Sequence, residues 1–225
     1  MNDMPNIAGV AALIGERARA AVLSTLLVDR VQTATELASV AGVTKQTVSS
    51  HLAKLVDGGL VAVDCQGRNR YFRLADQDVA QLLASLTGVA MRTGAVGGHA
   101  REGDQALSKA RVCYGHLAGE MAVVAYEGLL KKRVFDVSEA GLTLTRKGEA
   151  WFYNIGVDVD QARRQRRALC CACRDWGERQ HHLGGALGTA LLDGLLARKW
   201  ARRTRDSRVV SFTPSGEQAF VKLWR

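Results

Sequence analysis

The sequence predicts a mainly α fold with small β-hairpins, divided into an N-terminal domain at residues 1–97 and a C-terminal domain at residues 98–225. Three observations predict it. Residues 33–74 read as two short amphipathic helices, a glycine stop and a basic two-stranded turn, in that order. Residues 93–98 hold Gly94, Gly97 and Gly98 and few anchoring side chains, which suits a boundary or hinge. Beyond them a series of helix and strand signals occurs twice, at an offset of 66 residues.

Taken in order, residues 7–28 carry Ile7, Val10, Leu13, Ile14, Val22, Leu26 and Leu27 in a helical pattern. Thr33 opens the next helix, and Glu36 stands at the spacing of a capping box. Gly42 breaks the chain and Thr44 caps a second helix, whose Val48, Leu52, Leu55 and Val56 fall on one face. The opposite face holds Lys45, Gln46, Thr47, Ser49, Ser50 and Lys54, short hydrogen-bonding side chains with a cation at each end. Such a face suits base edges and phosphates. His51 beside it has two uses, as a donor to DNA or as a partner for a buried carbonyl.

Gly58 and Gly59 close this helix. Leu60, Val61 and Val63 resume as a strand, the stretch 66–69 makes a turn, and residues 70–74 return as a second strand rich in aromatic residues. Arg68, Asn69 and Arg70 place positive charge and an amide at the hairpin tip. A basic hairpin beside a helix that fits the major groove is the sequence form of a winged helix-turn-helix, with double-stranded DNA as its partner. A further helix pattern over residues 76–92 carries Val79, Leu82, Leu83, Leu86 and Val89. This helix and the first have more apolar surface than a small domain needs.

These motifs resemble the ArsR/SmtB group of bacterial winged-helix transcriptional regulators. Ser49-x-His51-Leu52-x-x-Leu55, then Gly58-Gly59-Leu60-Val61, then Gly67-Arg68 through Tyr71-Phe72-x-Leu74 carry the resemblance over roughly residues 7–97. It implies a homodimer paired through the helices at 7–28 and 76–92, which represses by binding an operator and responds to a metal, metalloid, oxidant or other small signal. Arsenic-sensing relatives carry a vicinal cysteine pair in or near the helix-turn-helix, whereas residues 33–60 here hold no cysteine. The His/Asp/Glu pattern of zinc-sensing relatives is not evident at 76–97 either.

A chain of 225 residues has room for one large or two ordinary cores. The longest apolar runs are far below the roughly 20 residues of a membrane span, so a cytoplasmic chain without membrane partners is expected. The net charge of +9 favours an anionic partner. Residues 1–130 are charge-balanced, with 12 basic and 12 acidic side chains, and the whole excess lies in residues 131–225.

In the C-terminal half, His116-Leu117-Ala118-Gly119 is echoed by His182-Leu183-Gly184-Gly185, and Gly128-Leu129-Leu130 by Gly194-Leu195-Leu196. Thr145 and Thr213 can each cap a final helix, with Pro214 at the first helical position. Two copies of a helix-hairpin-helix unit, at about 110–156 and 176–224, are expected to stack into a shared core. Residues 202–208 then form a second basic hairpin suited to phosphates. The motifs around Cys113 and His116, and from Cys173 through Asp175, Trp176 and Glu178 to His182, resemble a second segment found in longer ArsR-type regulators.

Five cysteines, clustered and odd in number, favour free thiols or metal ligands over structural disulfides. Cys113 and His116, and Cys170 and Cys173, share a face if each pair lies on a helix. With His181 or His182 they can converge on a thiophilic metal or metalloid ion, zinc-like or arsenic(III)-like. Buried packing as small apolar groups is the competing use of these cysteines. Cys170 and Cys171 lie among six arginines (Arg163, Arg164, Arg166, Arg167, Arg174 and Arg179), which favours a reactive thiolate and oxidation sensing. Cys65, at the wing, either touches DNA contacts or is an inert strand residue.

The leading function is therefore a DNA-binding transcriptional regulator, a repressor whose C-terminal domain receives an unidentified inducer. An architectural protein that clamps DNA without sequence preference is the alternative, and a thiol-dependent enzyme a remote one. The sequence holds no glycine-rich phosphate loop, nucleophile elbow or paired-carboxylate motif, so a non-enzymatic role is expected.

Overall fold

In a computed structural model, which describes residues 6–28, 31–67, 69–93, 102–204 and 207–224, the first apolar stretch forms two helices rather than one. These are α1 (Ile7–Ile14) and α2 (Arg17–Val28). Gly15 closes α1 through its N–H to Ala11, and the Glu16 carboxylate accepts from the Ala18 and Arg19 amides at 2.9 and 3.0 Å, starting a new helix. Arg19 donates back to the Leu13 and Ala12 carbonyls at 2.7 and 2.8 Å. The end of α1 and the start of α2 thus satisfy each other, and a continuous helix loses to two capped ones.

After β1 (Gln32–Thr33) come α3 (Ala34–Ala41) and α4 (Lys45–Asp57). The Thr33 and Glu36 capping box closes in both directions, with the Thr33 N–H donating to Glu36 at 2.7 Å. Gly42 takes the left-handed conformation that ends α3 (φ +65°), and the Thr44 hydroxyl accepts from the Thr47 N–H at 3.1 Å to start α4. Strands β2 (Val61–Gln66) and β3 (Asn69–Leu74) pair antiparallel from Val61↔Leu74 to Gln66↔Asn69, and β1 adds to β3, giving the sheet order β1-β3-β2. Leu23, Leu26, Leu37, Val48, Leu52, Leu55, Phe72 and Leu74 are buried together in this unit's core. Each such side chain contributes about 1.5–3 kcal/mol by leaving water. The result is a winged helix-turn-helix.

Helix α5 (Gln77–Arg92) follows. The chain divides into two compact units, Met1–Leu83 and Ala84–Arg225, so the division falls inside α5 rather than at 97/98. Of the hinge expected at 93–98, residues 94–98 lie outside the described ones.

The second unit begins with α6 (Glu102–Lys109). It then runs β4 (Arg111–Cys113), β5 (His116–Ala118), α7 (Glu120–Lys131), β6 (Phe135–Ser138), β7 (Gly141–Leu144) and α8 (Arg146–Asn154). After the short α9 (Val159–Arg163), the same order returns as β8 (Cys171–Arg174), β9 (His181–Gly184), α10 (Gly185–Ala197), β10 (Ala201–Arg203), β11 (Val210–Phe212) and α11 (Pro214–Lys222). Each half is hairpin, helix, hairpin, helix, one hairpin longer than the helix-hairpin-helix expected.

Matched positions in the two halves share unusual backbone. Gly119 and Gly185 are left-handed at the starts of α7 and α10 (φ +90° and +78°), and Arg133 and Lys199 are left-handed just after these helices (φ 55° and 57°). Thr145 and Thr213 cap α8 and α11 by accepting from Gly148 and Gly216 at 2.9 and 3.0 Å.

Candidate functional site

The DNA-facing candidates lie on α4 and the wing. Lys45, Gln46, Thr47, Ser49, Ser50 and Lys54 are all exposed, while Val48, Leu52 and Leu55 of the same helix are buried. Because the caps at Thr44 and Gly58 hold α4 at both ends, this polar face is presented on a rigid element. His51 leaves the set. Its side chain is 16% exposed, with Nδ1 3.5 Å from Arg19 Nη1 and 3.6 Å from Glu16 Oε2, so it packs on the α1–α2 junction instead of facing outward.

On the wing, Asn69 and Arg70 are exposed at the end of the β2–β3 ladder, with the Arg70 guanidinium 5.5 Å from the Phe72 ring centroid. Arg68 lies outside the described residues. Arg73 is bound to its own sheet, donating to Asp64 at 2.8 Å. Cys65 is an exposed thiol. The second basic hairpin is less uniform than expected: Arg202 and Arg203 are exposed, but Arg208 donates to the Val112 carbonyl at 3.1 Å, and burial lowers its pKa. Arg205 and Asp206 lie outside the described residues.

The second site is a buried cluster in the C-terminal unit. Cys113, His116, Cys173 and His182 are all buried, and one potential ligand atom from each lies within 4.8 Å of the others. Convergence occurs, but not on helices. Tyr114 and Gly115 both have positive φ (46° and 81°), the two-residue hairpin turn, so Cys113 and His116 are cross-strand partners. Cys173 and His182 are partners across β8–β9 in the same way. The two imidazoles meet at 3.1 Å between Nε2 atoms.

Strand alternation explains which neighbours are excluded. His182 faces inward, so the adjacent His181 faces outward and is exposed, 6.4 Å from the Tyr126 ring between centroids. Cys170 precedes the strand and donates to the Leu142 carbonyl at 3.4 Å. Cys171 pairs with Gly184 at the far end of the ladder. The expected reactive thiolate is overturned for both. Burial and the neighbouring Cys171 push the Cys170 thiol up to about 11, and burial raises Cys171 despite the charge of Arg167. Arg167 stacks on Tyr114 at 5.0 Å and donates to Thr189 at 3.2 Å.

Two residues essential to the cluster's surroundings had no candidate role in the sequence: Arg111 and Asp175. They form an ion pair with both side chains 0% exposed. Asp175 also accepts from the amides of Gly119 (2.8 Å), Gly177 (2.9 Å) and Glu178 (3.1 Å), and Arg111 donates to the Leu107 carbonyl at 2.9 Å. The Arg111 guanidinium lies 4.1 Å from the Trp176 ring centroid. Trp176 in turn packs against Ala84, Cys113, Ala118 and Cys173.

His182 Nδ1 lies 3.3 Å from Asp175 Oδ2, an ion-pair distance without a hydrogen bond. Burial pushes the Asp175 carboxyl up, but His182, the Arg111 charge and the backbone donors outweigh it and hold the carboxyl well below its usual range. The two thiols act as a pair. A hydrogen bond from Cys173 stabilises the Cys113 thiolate, and that same bond with burial keeps Cys173 protonated.

A helix-turn-helix domain model matches residues 14–64. An uncharacterised HTH-type transcriptional regulator of Bacillus subtilis (strain 168), YdfF, is 37% identical over 218 residues, covering 97% of this chain and 96% of the relative. Among solved structures, a fragment of a possible transcriptional regulatory protein of Mycobacterium bovis is 32% identical, covering 38% of this chain and 90% of that one, with a TM-score of 0.35. A homodimeric winged helix-turn-helix DNA-binding domain of M. bovis, described as a possible ArsR-family regulator, is 27% identical over 45% of this chain and 100% of that one, with a TM-score of 0.37. Among the described residues no helix is long and apolar enough to cross a membrane. With the full-length match to the B. subtilis protein added to its DNA-reading unit, the chain belongs to the HTH-type transcriptional regulators.

Proposed function

We propose that this regulator is an ArsR/SmtB-type repressor that binds its operator as a homodimer, with the C-terminal unit as its regulatory half. The observation that carries the DNA-reading part is the exposed, mixed polar face of α4, capped at Thr44 and flanked by a wing presenting Asn69 and Arg70. Amide and hydroxyl groups between two lysines can separate bases from phosphates, whereas a face built only to clamp a backbone is mostly Lys and Arg. This favours operator reading over architectural binding.

Gel shifts on the DNA upstream of its own gene, against a scrambled duplex, test the reading. Gln46→Ala is expected to weaken operator binding by about 1–3 kcal/mol, roughly 5- to 150-fold, and to leave scrambled DNA little changed. Lys54→Ala is expected to weaken both alike and to lower the salt slope by about 1. Equal affinity of the unmodified protein for both duplexes overturns operator recognition.

The dimer reading rests on apolar side chains that each unit leaves in water: Ile7 (73% exposed) and Val10 on α1, and Leu82, Leu86 and Val89 on α5. Exposed leucine and valine at helical spacing on α5 fit a partner helix better than solvent. Sedimentation at micromolar concentration is expected to give a dimer, and Leu86→Glu with Val89→Glu a monomer with greatly reduced operator affinity. A wild-type monomer under these conditions would refute it.

A further inference from the structure

We propose that Cys113, His116, Cys173 and His182 bind one zinc-class divalent ion in a closed tetrahedral site, and that this ion pins the leading hairpins of the two halves of the C-terminal unit to each other. The inference does not depend on what the N-terminal unit binds. Each hairpin supplies one sulfur and one nitrogen from a cross-strand pair, Cys113 with His116 on β4–β5 and Cys173 with His182 on β8–β9. Donors held about 2.0–2.3 Å from one tetrahedral ion stand about 3.3–3.8 Å apart. The four donors here lie within 4.8 Å of one another, and the two Nε2 atoms are 3.1 Å apart. The arrangement is therefore within about 1 Å of ligand spacing.

Without an ion the cluster is a poor use of buried polar groups. Two imidazole nitrogens face each other where one must donate and the other accept, and His116 Nδ1 has no hydrogen-bond partner among the described residues. An ion takes both Nε2 lone pairs and both sulfurs at once. Each Nδ1 then carries its proton, and the His182 Nδ1 stands 3.3 Å from Asp175 Oδ2, the position of the carboxylate support common behind metal-bound imidazoles.

The charges also close. Two thiolates and two neutral imidazoles neutralise a divalent cation, and the thiol protons leave to solvent. The neighbouring Asp175 is paired with Arg111, so the ion, its four ligands and this ion pair together carry no net charge. Mixed sulfur and nitrogen donors, four in number and all buried, fit a closed zinc-type site better than a catalytic one with an open position.

The test uses the full-length chain, purified under reducing conditions, loaded with Zn²⁺ or Co²⁺ and freed of excess metal. One zinc per chain is expected by elemental analysis, and X-ray absorption at the zinc edge should show two sulfur and two nitrogen neighbours. The Co²⁺ form should show the visible bands of tetrahedral cobalt with sulfur-to-metal charge transfer. Cys173→Ser and His116→Ala should each weaken binding at least tenfold, while Cys170→Ser and Cys171→Ser leave it unchanged. Chelation should lower the melting temperature of the zinc-loaded protein. The unmodified chain needs no variant to overturn the proposal: absence of retained metal, or an all-oxygen or all-nitrogen zinc environment, does so. Survival of the cobalt bands in a Cys113→Ser, Cys173→Ser double variant overturns it as well.

Discussion

Replacing Arg111 with alanine is expected to destabilise the C-terminal unit by about 3–5 kcal/mol, the cost of leaving one partner of a buried ion pair uncompensated. Both side chains are fully buried, 64 residues apart in sequence. Without the guanidinium, Asp175 keeps its three backbone donors but loses its counter-charge, and Trp176 loses the cation stacked on its face. In urea unfolding of the full chain this appears as a lower midpoint, and on heating as a melting temperature about 10 °C lower. The double replacement Arg111→Met with Asp175→Leu should recover part of the loss, because no charge is then left stranded. Recovery stays incomplete, since the Gly119, Gly177 and Glu178 amides lose their acceptor. A loss below about 1 kcal/mol for Arg111→Ala contradicts the role given to the pair.

Gly148→Ala and Gly216→Ala are expected to cost about 2–3 kcal/mol each, the upper part of the range for overpacking. A Cβ on Gly148 would stand 2.0 Å from the Val134 carbonyl oxygen, and one on Gly216 2.1 Å from that of Trp200. Both obstacles are backbone at the start of the preceding hairpin, each carbonyl accepting a hydrogen bond, that of Val134 from the Thr145 N–H (3.1 Å) and that of Trp200 from the Thr213 N–H (2.9 Å). A side chain cannot swing away from either. Similar losses at the two sites follow if the halves are copies of one packing unit, which is our reading of the doubled element order. Gly141→Ala is the contrast. Gly141 has positive φ (+111°) but open space around its added Cβ, so only backbone strain of about 1 kcal/mol is expected. Chemical denaturation of the three variants checks the order, and a Gly141→Ala loss equal to the others removes the steric account.

The helix-turn-helix was legible because its determinants are local. Thr33 and Glu36 close their box over three residues, Gly42 is left-handed where the chain must turn, and the 3.6-residue period separates Val48, Leu52 and Leu55 from the polar face of α4. The break at Gly15 and Glu16 was not legible, since an apolar pattern says nothing of Arg19 reaching back to donate to the carbonyls of Ala12 and Leu13. Nor was His51, which looks like part of the polar face until Glu16 and Arg19 are placed beside it.

The sequence by itself determined a winged helix-turn-helix, the exposed polar face of α4 and a C-terminal half with matched segments, because capping, turn chemistry and periodicity act between neighbours in the chain. It also brought these cysteines and histidines forward as candidates, but placed them on helices: the spacing of three between Cys113 and His116 fits a helical face and a two-residue hairpin turn equally. Only the tertiary structure chose the hairpin, selected Cys113, His116, Cys173 and His182, and set aside Cys170, Cys171 and His181. It alone disclosed Arg111 and Asp175, and it reversed the expected thiolate character of Cys170 and Cys171. The reason is common to all of these. Contacts between residues some 60 positions apart, and the loss of water around them, depend on which surfaces meet, and no local pattern encodes that meeting.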